Sequence, residues 1–262
     1  MKIGVCLEAM GLDLRAGLPQ SARLGLGGVQ VNAVGELSPD KLGDTGRREV
    51  RNLLKTYHQQ ITALNCPLRY GLDVAENQQP RIEYVRQAMS LAFELGSRTV
   101  IVPCPKLPGE GEDVRATLLR EALEDLGRHG DRVGVVLALE IGLDAPEATA
   151  AYLGTFDVGS LKVNYDPANL FVNGFDPVKG VIPLHKLIVH THARDVRKTS
   201  LSGGAKEVRL GAGDIDWLSY VATLSVVEYH GWLTIERESA PDPVADVKAA
   251  AEFLKRVLVP GG

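Results

Sequence analysis

The sequence has 262 residues, of which 45% are hydrophobic and 24% charged, a balance that excludes intrinsic disorder and predicts a globular protein with a substantial core. Its 29 Lys and Arg against 33 Asp and Glu give a net charge of −4 without a basic face, which argues against a nucleic-acid partner. No apolar run approaches the ~18 residues of a membrane span, and the chain opens directly into a strand-like segment, so we expect a cytoplasmic protein that does not contact a membrane.

Apolar runs of strand length alternate along the chain with segments that have a helical period. We predict strands at 3–7, 28–32, 67–72, 99–102, 133–139, 160–164, 186–190 and 232–235. Helical periodicity is clearest at 47–64, 82–95, 114–126, 217–227 and 246–257. This alternation predicts an α/β fold with a parallel sheet.

The predicted strands are apolar along their whole length. The run at 133–139 is the clearest case, and it is typical of a parallel strand that is covered on both faces. Eight strand–helix units also match the ~250 residues of a closed barrel, with an open doubly wound sheet as the alternative. The glycine-rich segment 24–28 leads into a strand instead of a helix, so we interpret it as a turn and not as a dinucleotide-binding loop. We therefore predict a single (β/α)8 TIM barrel domain over residues 1–262.

The last four predicted strands share one feature: each ends near a residue that binds metals. These residues are Glu140, Asp166, His192 and Glu236, spaced 26, 26 and 44 residues apart. In a (β/α)8 barrel the carboxyl ends of all strands face one mouth, where active sites lie, so we expect the four side chains to converge.

Three carboxylates at one point repel one another and raise one another's pKa unless a cation neutralises them. Oxygen donors with a single imidazole form a harder site than that of structural zinc. The sequence therefore predicts one divalent metal ion, Mn²⁺ first, with Mg²⁺, Co²⁺ and Zn²⁺ as alternatives.

Three assignments have two interpretations at this level. His190 and His192 alternate on one strand and point the same way, so the spacing leaves open which of them is the ligand. Asp166 precedes Pro167 and is also a good helix N-cap. Asp195 has either the role of an acceptor for His192 or Arg197, or that of a loop cap.

Five segments carry a resemblance to a known superfamily: 138–140, 164–170, 190–195, 211–217 and 235–236. They are Ala-Leu-Glu, Asn-Tyr-Asp-Pro-Ala-Asn-Leu, His-Thr-His-Ala-Arg-Asp, Gly-Ala-Gly-Asp-Ile-Asp-Trp and Ile-Glu. With them the chain resembles, over nearly its whole length, the xylose isomerase-like (β/α)8 superfamily of sugar and sugar-phosphate isomerases and epimerases. The resemblance also implies a homo-oligomer paired through its exterior helices.

The resemblance implies that Glu140, Asp166, His192 and Glu236 hold one divalent metal, with His192 chosen by its place three residues before Asp195. It further implies that Glu140 and Glu236 act as acid and base from opposite faces of the substrate. Such a site transfers protons through a metal-stabilised enediolate of a small polyhydroxy carbonyl compound, with or without a phosphate group.

The chain departs from the ketose 3-epimerases of that superfamily at Asn169, where they carry a histidine. Asparagine still hydrogen-bonds a substrate hydroxyl but cannot shuttle a proton. We expect Asn169, His190 and Arg197 to contact the substrate, Arg197 because a guanidinium offers paired donors to oxygens or phosphate.

The functional hypothesis is thus a metal-dependent isomerase or epimerase. The first alternative is a dehydratase or lyase with the same site, either similar to inosose dehydratase or acting on oxidised sugars. The second is a sugar-binding barrel without turnover. An apurinic endonuclease is disfavoured, because it calls for a histidine-rich zinc site and a basic groove.

Overall fold

The computed structural model describes residues 1–199 and 204–258. Eight parallel strands form a closed barrel, and a two-stranded antiparallel hairpin lies outside it. The barrel strands are β1 (Lys2–Cys6), β2 (Gly28–Asn32), β3 (Gln60–Asn65), β4 (Thr99–Pro103), β5 (Val136–Glu140), β6 (Leu161–Tyr165), β7 (Ile188–Ala193) and β10 (Trp232–Ile235); the hairpin is β8 (Asp195–Lys198) and β9 (Ala205–Val208).

Helices follow the strands and cover the barrel. They are α1 (Leu14–Arg23), α2 (Asp44–Thr56), α3 (Gln78–Leu95), α4 (Asp113–Val133), α5 (Pro146–Leu153), α6 (Pro167–Val172), α7 (Val181–Leu184), α8 (Trp217–Val226) and α9 (Pro243–Leu258), with short 3-10 helices at Leu7–Met10 and Gly35–Leu37. None of the helices in the described part of the chain has the length and apolar character to cross a membrane.

The barrel closes because β1 pairs with both β10 and β2, so the sheet has no free edge. This confirms the predicted (β/α)8 TIM barrel over the open doubly wound alternative. Most of the apolar core packs strand side chains against helices, for example Val100 and Val102 of β4 with Val85 and Leu91 of α3. The rigid wall fixes the strand ends from which the site is built.

One predicted strand is in the wrong place. Residues 67–72 are irregular, and β3 lies earlier, within the segment predicted to continue a helix to residue 64. Helix α2 ends at Thr56, and His58 takes a left-handed φ of 51°, which turns the chain into β3. The apolar spacing of residues 60–64 fits a helix, but this segment forms parallel pairs with β2 in the barrel, and this tertiary pairing determines its structure.

The strand predicted at 133–139 begins in the structure at Val136 and not at residue 133. Val133 is the last residue of α4, and Gly134, with φ of 71°, ends that helix before β5 starts at Val136. As a result Glu140 is the last residue of β5 and lies at the mouth of the barrel.

Candidate metal centre

Four side chains from consecutive barrel strands meet at the carboxyl ends of the strands. Glu140 ends β5, Asp166 directly follows β6, His192 lies in β7 and Glu236 directly follows β10. One potential ligand atom from each lies within 4.8 Å of the other three. The structure thus brings together the four residues that the sequence predicted to converge.

The four residues differ in their access to solvent. The side chains of Asp166 and His192 are 0% and 1% exposed, whereas those of Glu140 and Glu236 are 21% and 24% exposed. Asp166 and His192 therefore form the floor of the cluster. The two glutamates stand at its opening, where a substrate would enter.

The ring of His192 has a defined orientation. Its Nδ1 atom lies 3.0 Å from Glu236 Oε2, 3.8 Å from Asp166 Oδ2 and 4.0 Å from Glu140 Oε1. Its Nε2 atom lies 3.0 Å from Gln30 Oε1 in β2, and since an amide oxygen only accepts, Nε2 carries the proton of the neutral ring. Nδ1 is thus the nitrogen that faces the carboxylates.

Asp166 caps a helix and is also a member of the cluster. Its Oδ1 caps α6 by accepting hydrogen bonds from the backbone N–H groups of Ala168, at 2.7 Å, and Asn169, at 3.0 Å. Its Oδ2 faces His192 and accepts a hydrogen bond from Arg194 at 3.1 Å. The cap locks the carboxylate so that its second oxygen points into the cluster.

The charges of the cluster fit a cation. Burial raises the pKa of Glu140 to about 7, with Glu236 and Asp166 acting in the same direction. Burial alone would lower the pKa of His192, but the charges of Glu236 and Glu140 raise it well above its usual value. Glu236 Oε2 is also buried, with His192 Nδ1 3.0 Å away. Three close carboxylates and one imidazole are the donor set of a divalent ion such as Mn²⁺ or Mg²⁺.

We expect metal binding at this cluster to release protons and to tighten as the pH rises through 7. Glu140 and His192 both carry raised pKa values, so both hold protons near neutral pH that a cation must displace. Calorimetric titration with Mn²⁺ at pH 7 in two buffers of different ionisation enthalpy should show a release of about one to two protons. The two pH values to compare are about 6 and about 8, on either side of the pKa of about 7. If binding releases no protons and the affinity for Mn²⁺ is the same at both, the cluster is not the binding site.

Gln30 contacts the cluster through His192 and was not identified by the sequence analysis. Replacing it with leucine, which has a similar volume, removes the acceptor of His192 Nε2, and we expect the affinity for Mn²⁺ to fall about 10–100-fold. Gln59→Leu is the matched control, because Gln59 is another buried glutamine but bonds Ser21 and Leu26 outside the cluster. Equal Mn²⁺ affinities of the Gln30 and Gln59 variants would show that Gln30 does not orient the ligand.

Asn169, which the sequence predicted to contact the substrate, lies beside the cluster. Its Nδ2 donates to Glu140 Oε1 at 3.1 Å, and its Oδ1 accepts from Arg194 Nη1 at 3.1 Å. Gly142, with φ of 154°, makes room for it: a Cβ at this position would lie 2.3 Å from Asn169 Cβ. A glycine is needed here because any side chain would push Asn169 away from Glu140.

His190, predicted to contact the substrate, lies instead in the closed interior of the barrel. It is fully buried; its Nδ1 is bonded to Asn164 Oδ1 at 2.8 Å and its Nε2 to Thr234 Oγ1 at 2.8 Å. Burial and the charge of His192 lower its pKa, so the ring is neutral. Both ring nitrogens of His190 are hydrogen-bonded to protein, and His192 is the histidine that belongs to the cluster.

Arg197, also predicted to contact the substrate, points away from the cluster. It is exposed on β8 and donates to the carbonyl of Ala212. Arg194 takes the place beside the site: it contacts Asp166, Asn169 and Glu207. In an extended strand the side chains of residues 190, 192 and 194 point to the same face. This spacing favours Arg194 over Arg197 as a neighbour of the cluster.

Asp195 has the second of its two predicted roles. Its carboxylate accepts hydrogen bonds from the backbone N–H groups of Val196, Gly211 and Gly213 at 2.9–3.0 Å. It therefore caps the loop that follows the hairpin.

Comparison with known families matches residues 18–257 to the family described as xylose isomerase-like TIM barrel. Among curated proteins the chain is similar to uncharacterized protein MJ1311 of Methanocaldococcus jannaschii, with 23% identity over 67% of this chain and 63% of that protein. It is also similar to the rhizopine catabolism protein MocC of Rhizobium meliloti, with 28% identity over 64% and 56%. Inosose dehydratase of Geobacillus kaustophilus is 28% identical over 36% of each chain. The chain thus spans less than two thirds of the length of each of these relatives.

Solved structures share the fold over almost the entire chain. A xylose isomerase domain protein from Planctomyces limnophilus superposes with a TM-score of 0.85 at 22% identity, covering 98% of this chain and 96% of that one. D-allulose 3-epimerase from Methylomonas sp. in complex with D-allulose gives 0.78 at 18% identity, with 98% and 96% covered. A xylose isomerase-like TIM barrel protein from Mycobacterium smegmatis in complex with magnesium gives 0.80 at 16% identity, also with 98% and 96% covered.

Proposed function

The chain belongs to the xylose isomerase-like TIM barrel family, and we propose that it is a divalent-metal-dependent isomerase or epimerase of a small polyhydroxy carbonyl compound. The observation that carries this proposal is the difference in burial between the two pairs of residues in the cluster. Asp166 and His192 are buried on its floor, whereas Glu140 and Glu236 are accessible at the mouth. Two fixed ligands and two accessible carboxylates suit a site that both holds a cation and moves protons.

The residues that would hold the cation are Glu140, Asp166, His192 and Glu236. When bound, a divalent cation supplies Lewis-acid polarisation of a substrate carbonyl and lowers the pKa of the neighbouring C–H. We propose Mn²⁺ as the first candidate and Mg²⁺, Co²⁺ and Zn²⁺ as the others, on the basis of the hard donor set. The magnesium complex of the Mycobacterium smegmatis protein supports a divalent ion in a barrel of this kind.

Glu140 and Glu236 are proposed to move the proton. One carboxylate removes it from carbon, and the other returns it from the opposite face, which inverts that carbon; return to the adjacent carbon gives isomerisation. Both carboxylates are accessible at the mouth, Glu140 with 21% and Glu236 with 24% of the side chain exposed, so each can meet a substrate C–H. Asn169, hydrogen-bonded to Glu140, is placed to orient that carboxylate and to bind a substrate hydroxyl.

The surroundings of Arg194 favour a substrate without a phosphate group. This guanidinium is 15% exposed and already contacts three carboxylates, those of Asp166, Glu207 and Glu238. Its charge is therefore compensated before any ligand arrives. An uncharged sugar or cyclic polyol ketone fits this mouth better than a sugar phosphate, and the D-allulose complex of the Methylomonas enzyme supports a sugar-sized ligand.

A dehydratase is the second candidate, favoured by Asn169 and by the similarity to inosose dehydratase. The same base removes the proton, but a hydroxyl on the next carbon then leaves as water instead of the proton returning.

Proton exchange in D₂O distinguishes the two reactions. Protein loaded with Mn²⁺ is incubated with ketoses, ketose phosphates and inososes, and the products are followed by NMR. Deuterium at a carbon next to the carbonyl, with the carbon skeleton and oxygen count retained, supports the isomerase or epimerase. Loss of water supports the dehydratase, and binding of these compounds without either change would indicate a sugar-binding barrel instead.

A further inference from the structure

A second cavity opens beside the mouth of the barrel, between the ends of β1 and β2 and the helices α1 and α2. Its volume is about 290 Å³. Most of its wall is apolar, and the aliphatic side chains that matter most are Leu12, Leu14, Leu37, Leu42, Val50 and Leu53. Because an apolar cavity of ~150 Å³ already holds benzene, this one has room for a ring with a short chain.

The cavity adjoins the candidate metal centre through β1. The thiol of Cys6 lies within 4.8 Å of ligand atoms of both His192 and Glu236, and the next two residues, Leu7 and Glu8, line the cavity. Glu8 Oε1 accepts a hydrogen bond at 3.3 Å from the backbone N–H of Asn32, which also lines the cavity. The end of β1 is therefore a boundary that the cavity and the candidate metal centre share.

The charged residues of the cavity are mostly acidic. Four carboxylates line it, those of Glu8, Asp13, Glu36 and Glu49, against the single guanidinium of Arg15. Arg15 is already paired with Glu49 at 2.7 Å. The excess of negative charge repels phosphates and carboxylates and tolerates neutral or cationic groups.

We propose that this cavity binds a neutral or cationic apolar substituent of the substrate, so that the substrate is larger than a free sugar. The inference rests on the proposed function insofar as the polyhydroxy carbonyl part lies at the metal centre. The apolar side chains supply the affinity for the substituent. The four carboxylates of Glu8, Asp13, Glu36 and Glu49, which we call the rim, exclude anionic substituents.

Three small probes of equal size and different charge test the cavity itself: benzyl alcohol, benzylamine and benzoate. We expect the first two to shift the methyl NMR signals of Leu12, Leu37 and Leu42 in metal-free protein and to bind at least ~10-fold more tightly than benzoate. Leu37→Trp fills the cavity and should abolish these shifts. Leu218→Trp, at a leucine that is 70% exposed on α8, is the matched control. Equal binding of benzoate, or no shift by any probe, overturns the proposal.

A charge reversal at the surface tests the acidic residues of the cavity without placing a large side chain inside it, so the result does not depend on whether the Leu37→Trp variant folds. Glu36 is exposed, so Glu36→Lys should leave the fold intact. We expect it to raise the affinity for benzoate and to lower the affinity for benzylamine, each at least ~3-fold. Glu110→Lys reverses an exposed charge that does not line the cavity, and it should change the affinity for neither probe. The same probe affinities in the Glu36 and Glu110 variants overturn the assigned role of the rim.

Paramagnetic relaxation links the cavity to the metal centre. With Mn²⁺ bound, the protons of benzyl alcohol should relax faster than with Mg²⁺, and Leu37→Trp should remove the difference. Bound Mn²⁺ without this enhancement overturns the cavity as an extension of the site. Failure of Mn²⁺ to bind contradicts the proposed function instead, and the probe titration then decides the cavity on its own.

Discussion

Replacing Glu140 or Glu236 with glutamine is expected to slow exchange of the carbon-bound proton about 10²–10⁴-fold, even at saturating metal. Glutamine keeps the shape and one oxygen donor of the side chain but can neither accept nor return a proton at neutral pH. The two residues are the cluster members that are accessible at the mouth. The measurement is the D₂O exchange rate of an active substrate, determined with saturating Mn²⁺.

Glu147→Gln is the matched control for these variants. Glu147 lies in the first turn of α5, is exposed and belongs to neither the cluster nor its contacts, so its replacement should leave exchange unchanged. Titration with Mn²⁺ separates the two roles of each glutamate, because weakened metal binding is overcome by added metal whereas lost proton transfer is not. Wild-type exchange rates in both glutamine variants at saturating metal would rule out the proposed acid and base.

Replacing Arg194 with methionine is expected to lower the free energy of unfolding of the metal-free protein by about 3–5 kcal/mol. Arg194 is 15% exposed and is the guanidinium beside buried Asp166, which it meets at 3.1 Å. Without it, Asp166 stays buried and loses this compensating charge, whereas Glu207, which Arg194 meets at 3.3 Å, keeps Arg237. Saturating Mn²⁺ should restore part of the loss, because a cation at the cluster also compensates Asp166.

Arg237→Met provides a control of similar burial. Arg237 is 14% exposed and pairs with Glu207 and Asp246, at 3.1 and 3.0 Å, but not with a member of the cluster. We expect its replacement to destabilise the protein without a larger stabilisation by Mn²⁺ than in wild type. Urea unfolding with and without Mn²⁺ measures both effects. If Mn²⁺ stabilises the Arg194 and Arg237 variants equally, Arg194 does not compensate the metal centre.

The barrel and the four cluster residues were accessible from the sequence because both depend on local patterns. Apolar runs mark strands, and residues at the carboxyl ends of parallel strands converge whatever the details of packing. Seven of the eight predicted barrel strands overlap the observed ones. The exception, β3, lies where helical spacing continued across a turn, and only pairing with β2 sets that boundary.

The residues around the cluster were harder to predict because their roles depend on partners far away in sequence. Gln30 bonds His192 across 162 positions, and no local pattern marks a buried glutamine as the partner of a histidine. The bonds of His190 to Asn164 and Thr234 likewise become visible only when the barrel closes. Arg194 was also missed in favour of Arg197, although its strand parity with His192 was a usable signal; Arg197 lies in the hairpin that begins at Asp195 and donates to the carbonyl of Ala212.

Metal content tests the central claim most directly. Wild-type protein and an Asp166→Asn/His192→Asn double variant are dialysed against equal concentrations of Mn²⁺, Mg²⁺, Co²⁺ and Zn²⁺, freed of unbound ions and analysed for each element. We predict about one divalent ion per wild-type chain and almost none in the variant, with both proteins folded by circular dichroism. A wild-type chain that takes up no metal, or a folded variant that retains as much as wild type, would contradict the metal centre and the reaction proposed for it.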